Sequence, residues 1–177
     1  MTGAEPFPAP IEPDAHALRS TARAPRIVVG IDGSPSSVDA LREAVTVATA
    51  FGGTVEAVGA WHHPATLEAY YPAGECSPEH DASESVASAA REVFADALPE
   101  WFSWSVQQGG AAHVLVEASR GAKLLIVGSR GHGGVVGLLL GSVSAACAER
   151  AECPVLIMHK PRPRKPVLQR RSGVAAA

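Results

Sequence analysis

The chain has 177 residues, 46% of them hydrophobic, and a net charge of −3, which suits one domain whose core needs no disulfide staples. Its three cysteines, Cys76, Cys147 and Cys153, show no CxxC spacing, which argues against a structural zinc site or a disulfide framework and for a reducing cytoplasm. All 18 acidic residues precede Lys160 beside nine Lys and Arg, a net of −9, so the body is a poor binder of duplex nucleic acid, and no apolar run has the length of a membrane span.

Residues 1–24 hold four prolines and no sustained apolar period, the pattern of a disordered leader. The fold is expected over residues 25–160. Arg26 to Ile31 (RIVVGI) is a β-branched run suited to a central parallel strand, stopped by Asp32-Gly33-Ser34-Pro35. Ser34 can cap the helix that follows, with Pro35 at its first position. That helix is expected to bury Val38, Leu41, Val45 and Ala48 and to end at Gly52-Gly53.

Thr54 to Trp61 (TVEAVGAW) predicts a second strand, in which Gly59 marks a close approach of ligand or backbone. His62 to His80 reads as a long irregular loop of the kind that serves as a lid or a partner surface. Asp81 to Leu98 then predicts a helix with Val86, Ala90, Val93 and Ala97 on one face, closed by Pro99. The alternation in SWSVQ, within residues 101–108, predicts a third strand. A helix over Gly110 to Arg120 follows from Ala111, Val114, Leu115 and Ala118.

Lys123 to Val127 is a short apolar run that predicts a fourth strand, buried on both faces. Val143, Ala146, Cys147 and Arg150 mark a short helix, and Val155 to His159 a fifth strand. Strands and helices thus alternate throughout. The fold class is α/β: an open five-stranded parallel sheet with helices on both faces, Rossmann-like. Residues 161–177, rich in proline and basic side chains, read as an extended tail, either solvated or a docking arm for RNA, membrane or an acidic partner.

The chemistry concentrates where the fourth strand ends. Gly128, Gly131 and Gly141-Ser142 are spaced G-x2-G-x9-G-S. Glycines let backbone N–H groups approach phosphate oxygens and reach positive φ where a nest of amides must point inward. Ser142 opens a helix whose positive end, with the N–H groups of Ser142 and Val143, favours an anion, and Arg130 can add a charged fork. A P-loop requires a lysine after its last glycine, and none follows Gly141; a GxGxxG fingerprint begun at Gly131 and Gly133 meets Val136 at its sixth position. The bland alternative is a surface loop over residues 131–137.

Residues 25–160 resemble the universal stress protein family. The likeness rests on VVGIDGS at the end of the first strand, the complete G-x2-G-x9-G-S spacing and the CPVLIM final strand. The glycine spacing matches the members that bind ATP. The resemblance implies an adenine nucleotide (ATP, or ADP or AMP), a magnesium-type ion held mainly by its phosphates, and a homodimer formed along the fifth strand. Carried over by position, Asp32 is the acidic residue that contacts the nucleotide and Ala60 the main-chain position that meets the base. Val127, Gly128, Arg130, Gly131, Gly141, Ser142 and Val143 fall on the phosphate and ribose side. Gly30 stands at the same strand end, where some ATP-binding relatives have proline.

Asp32 also reads as a turn or capping residue, and His62 and His63 as surface residues rather than metal ligands. Cys147 and Cys153 read as core thiols. The loop supplies a cradle without an evident general base, so the expected function is a nucleotide-dependent regulatory switch in stress response, with slow or no hydrolysis. Two alternatives stand: a module for AMP, cyclic AMP or a protein partner, and a weak ATP hydrolase. Related nucleotide hydrolases usually carry SGGxDS at the first loop, and IDGSPSS departs from it.

Overall fold

The computed structural model describes residues 24–62, 77–95, 97–131 and 140–159. The predicted leader up to residue 23, His63, Cys76, most of the loop before residue 77, the glycine loop over residues 132–139 and the basic tail lie outside the described residues. Among the described residues nine elements run in the order β1 (Arg26–Gly30), α1 (Pro35–Phe51), β2 (Thr54–Trp61), α2 (Pro78–Phe94), β3 (Phe102–Gln108), α3 (Ala111–Ala118), β4 (Leu124–Gly128), α4 (Ser142–Arg150) and β5 (Val155–Met158). The predicted alternation is the one observed.

Local chemistry sets the boundaries. Ser34 caps α1, its side chain accepting from the Ser37 N–H at 3.3 Å, and Pro35 follows at the start. Gly52 ends that helix in the left-handed region at φ 61, where a Cβ would strain the chain. The buried stripe of α1 keeps Val38, Leu41 and Ala48 and also takes in Ala40 and Ala44, both fully buried, whereas Val45 is half-buried.

Helix α2 departs from expectation at both ends. It begins three residues before Asp81, because Ser77 and Pro78 repeat the device of Ser34 and Pro35, the Ser77 hydroxyl accepting from the His80 N–H at 3.0 Å. It stops at Phe94, four residues before Leu98. Ala95 turns to φ 55, and the Phe94 ring packs against Trp101 and Phe102 with centroids 5.7 and 4.6 Å apart. Leu98, expected inside the helix, is 52% exposed beyond that turn.

The sheet is parallel throughout, in the order β3-β2-β1-β4-β5. The chain moves outward from β1 through β2 to β3, then returns to the other side of β1. The carboxyl ends of β1 and β4 are therefore neighbours whose following helices diverge to opposite faces, and such a switch point opens a crevice. Ile27, Val29 and Ala57 pack with α1 and α2 on one face, while Val28, Val58, Leu125 and Val127 pack with Val114, Leu115 and Cys147 of α3 and α4 on the other. Burial of each large aliphatic side chain in these layers contributes about 1.5–3 kcal/mol.

Gly59 marks a close approach, although side chains make it: an added Cβ would lie 2.9 Å from Val86 Cγ2 and 3.0 Å from Val106 Cγ1. Its missing side chain lets α2 settle on the sheet. Among the described residues, no helix is long and apolar enough to cross a membrane.

Candidate functional site

The carboxyl ends of β1, β2 and β4 and the start of α4 surround a cavity of about 450 Å³. From β1 and the turn after it come Gly30 and Asp32; from β2, Ala60; from β4 and the loop after it, Val127, Gly128, Arg130 and Gly131; from the start of α4, Gly141, Ser142 and Val143. All ten residues singled out in the sequence thus line one space. Residues separated by about a hundred positions meet there because β1 and β4 pair directly, Val28 beside Leu125 and Val29 beside Ile126.

Two helices begin at this edge in different ways. At α1 the Asp32 carboxylate accepts from the Ser34 N–H at 3.0 Å, and the Ser37 hydroxyl donates to the Ser34 carbonyl at 2.8 Å. Side chains therefore close that helix start. Asp32 thus has the turn-forming role as well as a place on the cavity wall. At α4 the cap is Gly141, with φ −74 and no side-chain cap hydrogen bond. Its first helical bond runs from Ala145 N–H to the Gly141 carbonyl at 3.0 Å, so the N–H groups of Ser142, Val143 and Ser144 have no intrahelical partner.

The start of α4 is tied firmly to β4. Gly141 N–H donates to the Ser129 carbonyl at 2.8 Å, and Ser144 Oγ lies 3.1 Å from the same carbonyl and 3.0 Å from that of Gly141. Ser36 Oγ donates to the Arg130 carbonyl, which fastens the other side of the loop to α1. The first amides of α4, without intrahelical partners, are consequently preorganised at a partial positive charge facing the cavity, and the side chain of Arg130 is exposed beside them.

The glycines act otherwise than their spacing suggests. Gly128, Gly131 and Gly141 are absent from the positive-φ glycines, which among the described residues are Gly33, Gly52, Gly109 and Gly121. The expected nest of left-handed residues is therefore not formed at these three positions. A Cβ at Gly128 would lie 2.6 Å from Ser36 Oγ, and one at Gly131 would strike the Asp32 carboxylate. Their bareness admits protein atoms, drawing α1 and Asp32 against the loop. Gly141 is different, since a Cβ there would come no nearer than 3.4 Å to any neighbour.

Sequence reading missed the apolar side of the cavity, formed by Ile31, Val58, Ala111 and Leu115. Two signals were available. Val58 lies two residues before Ala60 and so shares its sheet face, and Ala111 and Leu115 are spaced i, i+4 on the inner face of α3. At Gly30 a Cβ would sit 2.8 Å from Leu115 Cδ1, so this glycine makes room for the apolar wall.

Asp32 is the single carboxylate among the described lining residues, and no group of three or more His, Cys, Asp or Glu is placed to hold a metal among the described residues. His62 is exposed at the end of β2. Cys147 is fully buried and Cys153 partly so, and burial pushes both thiols up. Neither has the lowered pKa of a nucleophile.

Residues 24–159 match the family model described as the universal stress protein family. A universal stress protein of Mycolicibacterium smegmatis is 32% identical over 146 residues, covering 78% of this chain and 46% of the relative. The chain spans about half the length of the curated relatives it matches. Among solved structures, UspA from Lactobacillus plantarum aligns over 78% of this chain and 100% of its own, with a TM-score of 0.62 and 18% identity. A universal stress protein crystallised in complex with cAMP aligns over 78% of this chain and 98% of its own, with a TM-score of 0.50 and 30% identity.

Proposed function

This chain belongs to the universal stress protein family, and we propose that its strand-end cavity binds an adenine nucleotide, ATP foremost, as the control element of a stress-response switch. The observation that carries this reading is the start of α4: three amides without intrahelical partners, fixed by Ser129 and Ser144, open on a cavity whose other side is apolar. An anion suits the first part and a flat ring the second. The phosphates would lie against Ser142 and Val143 with Arg130 beside them, and the base over Ala60, Val58 and Leu115.

Magnesium fits only as an ion carried by the phosphates. Asp32 alone offers a carboxylate on the described wall, and a protein-held site for such a cation draws on several oxygen ligands. When bound, the ion would neutralise phosphate charge. The chain's own residues would orient the nucleotide and shield its base, and with no general base assigned to the cavity, hydrolysis is expected to be slow or nil.

The β5 edge supports self-association. Val155, Leu156, Ile157 and Met158 are all half-buried on a strand paired on one side only among the described residues, so a second copy could cover them. The unbonded Cys147 and Cys153 accord with a cytoplasmic setting.

Cyclic AMP is the second reading, favoured by the relative solved with cAMP at 30% identity. Calorimetric titration of the purified chain with ATP, ADP, AMP and cyclic AMP, with and without magnesium, separates the two. Tightest binding of ATP, strengthened by magnesium, supports the first reading. Tightest binding of cyclic AMP, indifferent to magnesium, supports the second, and no binding of any of the four removes both.

A further inference from the structure

The cavity's apolar side has a polar neighbour on the next strand. β3 pairs with β2 in register, Val58 beside Ser105 and Ala60 beside Gln107. Side chains alternate across a sheet, so the face each residue occupies can be read from its neighbours. Phe102 and Val106 belong to the core layer of α1 and α2 with Val55 and Ala57, whereas Val58 and Ala60 belong to the layer of α3 and α4. Ser105 and Gln107 therefore stand on the cavity's face of the sheet, one strand outward from Val58 and Ala60.

Adjacent strands are about 4.8 Å apart, a span that a glutamine side chain bridges. Gln107 is exposed at the carboxyl end of β3, level with Ala60 on the cavity wall. Ser105, one step below it on the same face, carries the one buried side-chain oxygen or nitrogen that has no hydrogen-bond partner among the described residues. A buried hydroxyl without a partner is uncommon in a folded protein and calls for an explanation. Both residues thus offer polar groups beside an otherwise apolar wall.

We infer that Gln107, supported by Ser105, reads the edge of the purine ring and gives the site its preference for adenine. This rests on the nucleotide reading above and specifies which residues recognise the base. A base lying over Ala60 would extend its edge toward β3. The Gln107 carboxamide supplies an acceptor and a donor side by side, which complements the amino donor and the adjacent ring-nitrogen acceptor of adenine. The Ser105 hydroxyl, two residues before Gln107 on the same face of the strand, would then gain the partner it otherwise lacks. An apolar pocket alone discriminates poorly among purines, whereas a site built around hydrogen bonds rejects the analogue that cannot make them.

The test compares ATP with purine riboside 5′-triphosphate, which lacks only the amino group, and with pyrophosphate, by calorimetry on the full chain and on Gln107→Leu and Ser105→Ala. The unaltered chain is expected to favour ATP by about tenfold, one to two hydrogen bonds' worth. Gln107→Leu is expected to abolish the preference while leaving pyrophosphate affinity unchanged. Ser105→Ala should reduce the preference without lowering thermal stability. An unaltered ATP preference in Gln107→Leu overturns the inference, as does an equal loss of pyrophosphate affinity, which would mark a general structural effect. Failure of the unaltered chain to bind any of the three overturns the nucleotide reading itself, a result distinct from binding without base preference.

Discussion

Helices α1 and α4 start at the same edge of the sheet, α1 five residues after the end of β1 and α4 fourteen residues after the end of β4, yet they begin in opposite ways. α1 is closed by its own side chains: Ser34 caps it, Ser37 folds back on Ser34, and Asp32 holds the turn before it. α4 starts at Gly141 with no side-chain cap, while Ser129 and Ser144 hold it in place. The first arrangement satisfies the helix from within. The second leaves its first amides without partners from within the helix. The contrast separates a helix start that serves stability from one that is available to a ligand.

The largest effect is expected where the two starts meet. Gly131→Val places a side chain against the Asp32 carboxylate, displacing the loop between them, and should weaken ATP binding by on the order of 100-fold or more, a loss of about 2.7 kcal/mol. Circular dichroism should report an intact fold, because the collision is confined to the loop and the exposed Asp32. Retention of ATP affinity in a titration would show that the loop's placement is irrelevant to binding.

Next in size is Gly141→Asp. The site has room for a Cβ and already has the extended backbone of an N-cap, φ −74 and ψ 163. The new carboxylate should cap α4 as Ser34 caps α1, adding a few tenths of a kcal/mol of stability. It should also compete with phosphate for the same amides, lowering ATP affinity at least about tenfold. Lost affinity with an unchanged or higher melting temperature is the expected pair of results. A variant that binds ATP as well as the original chain would erase the distinction between the two helices.

Ser34→Ala is the converse experiment. It should cost about 1 kcal/mol of stability by chemical denaturation, and it should move ATP affinity far less than Gly141→Asp does. The smallest effect concerns the buried face of α4. Burial raises the Cys147 and Cys153 thiols above their ordinary value, so the unfolded chain ionises first. Stability should therefore be insensitive to these thiols at lower pH and decline once pH passes about 8.5, the ordinary thiol value. Denaturation midpoints compared at pH 7.5 and 9.5, for the original chain and Cys147→Ala, measure that slope, which should be shallower in the variant.

Much of this was legible in the sequence for local reasons. The span of β2 follows from alternation in TVEAVGAW, and both ends of α1 follow from Ser34-Pro35 and Gly52. Gly128, Arg130, Gly131, Gly141, Ser142 and Val143 could be grouped because the glycine spacing follows a buried strand, whereas Gly30, Asp32, Ala60 and Val127 joined them through the resemblance to the family; all ten meet because strand ends in a parallel sheet share one edge. What escaped depended on contacts distant in sequence. Gly128 and Gly131 look like room for a ligand until the fold brings Ser36 and Asp32 against them. The end of α2 is set by Phe94 packing on Trp101 and Phe102, which the apolar pattern continuing through Ala97 and Leu98 conceals. Its start was legible, since Ser77-Pro78 repeats the earlier cap, but it lies at the end of a long stretch without apolar period.

The most direct test follows backbone amides by ¹H–¹⁵N NMR while ATP is added to the ¹⁵N-labelled chain. The largest shifts are expected at Ser142 and Val143, with smaller ones at Ser37 and Val38, whose N–H groups already bond to Ser34. Shifts centred on Ser37 and Val38, with Ser142 and Val143 unmoved, would contradict that expectation.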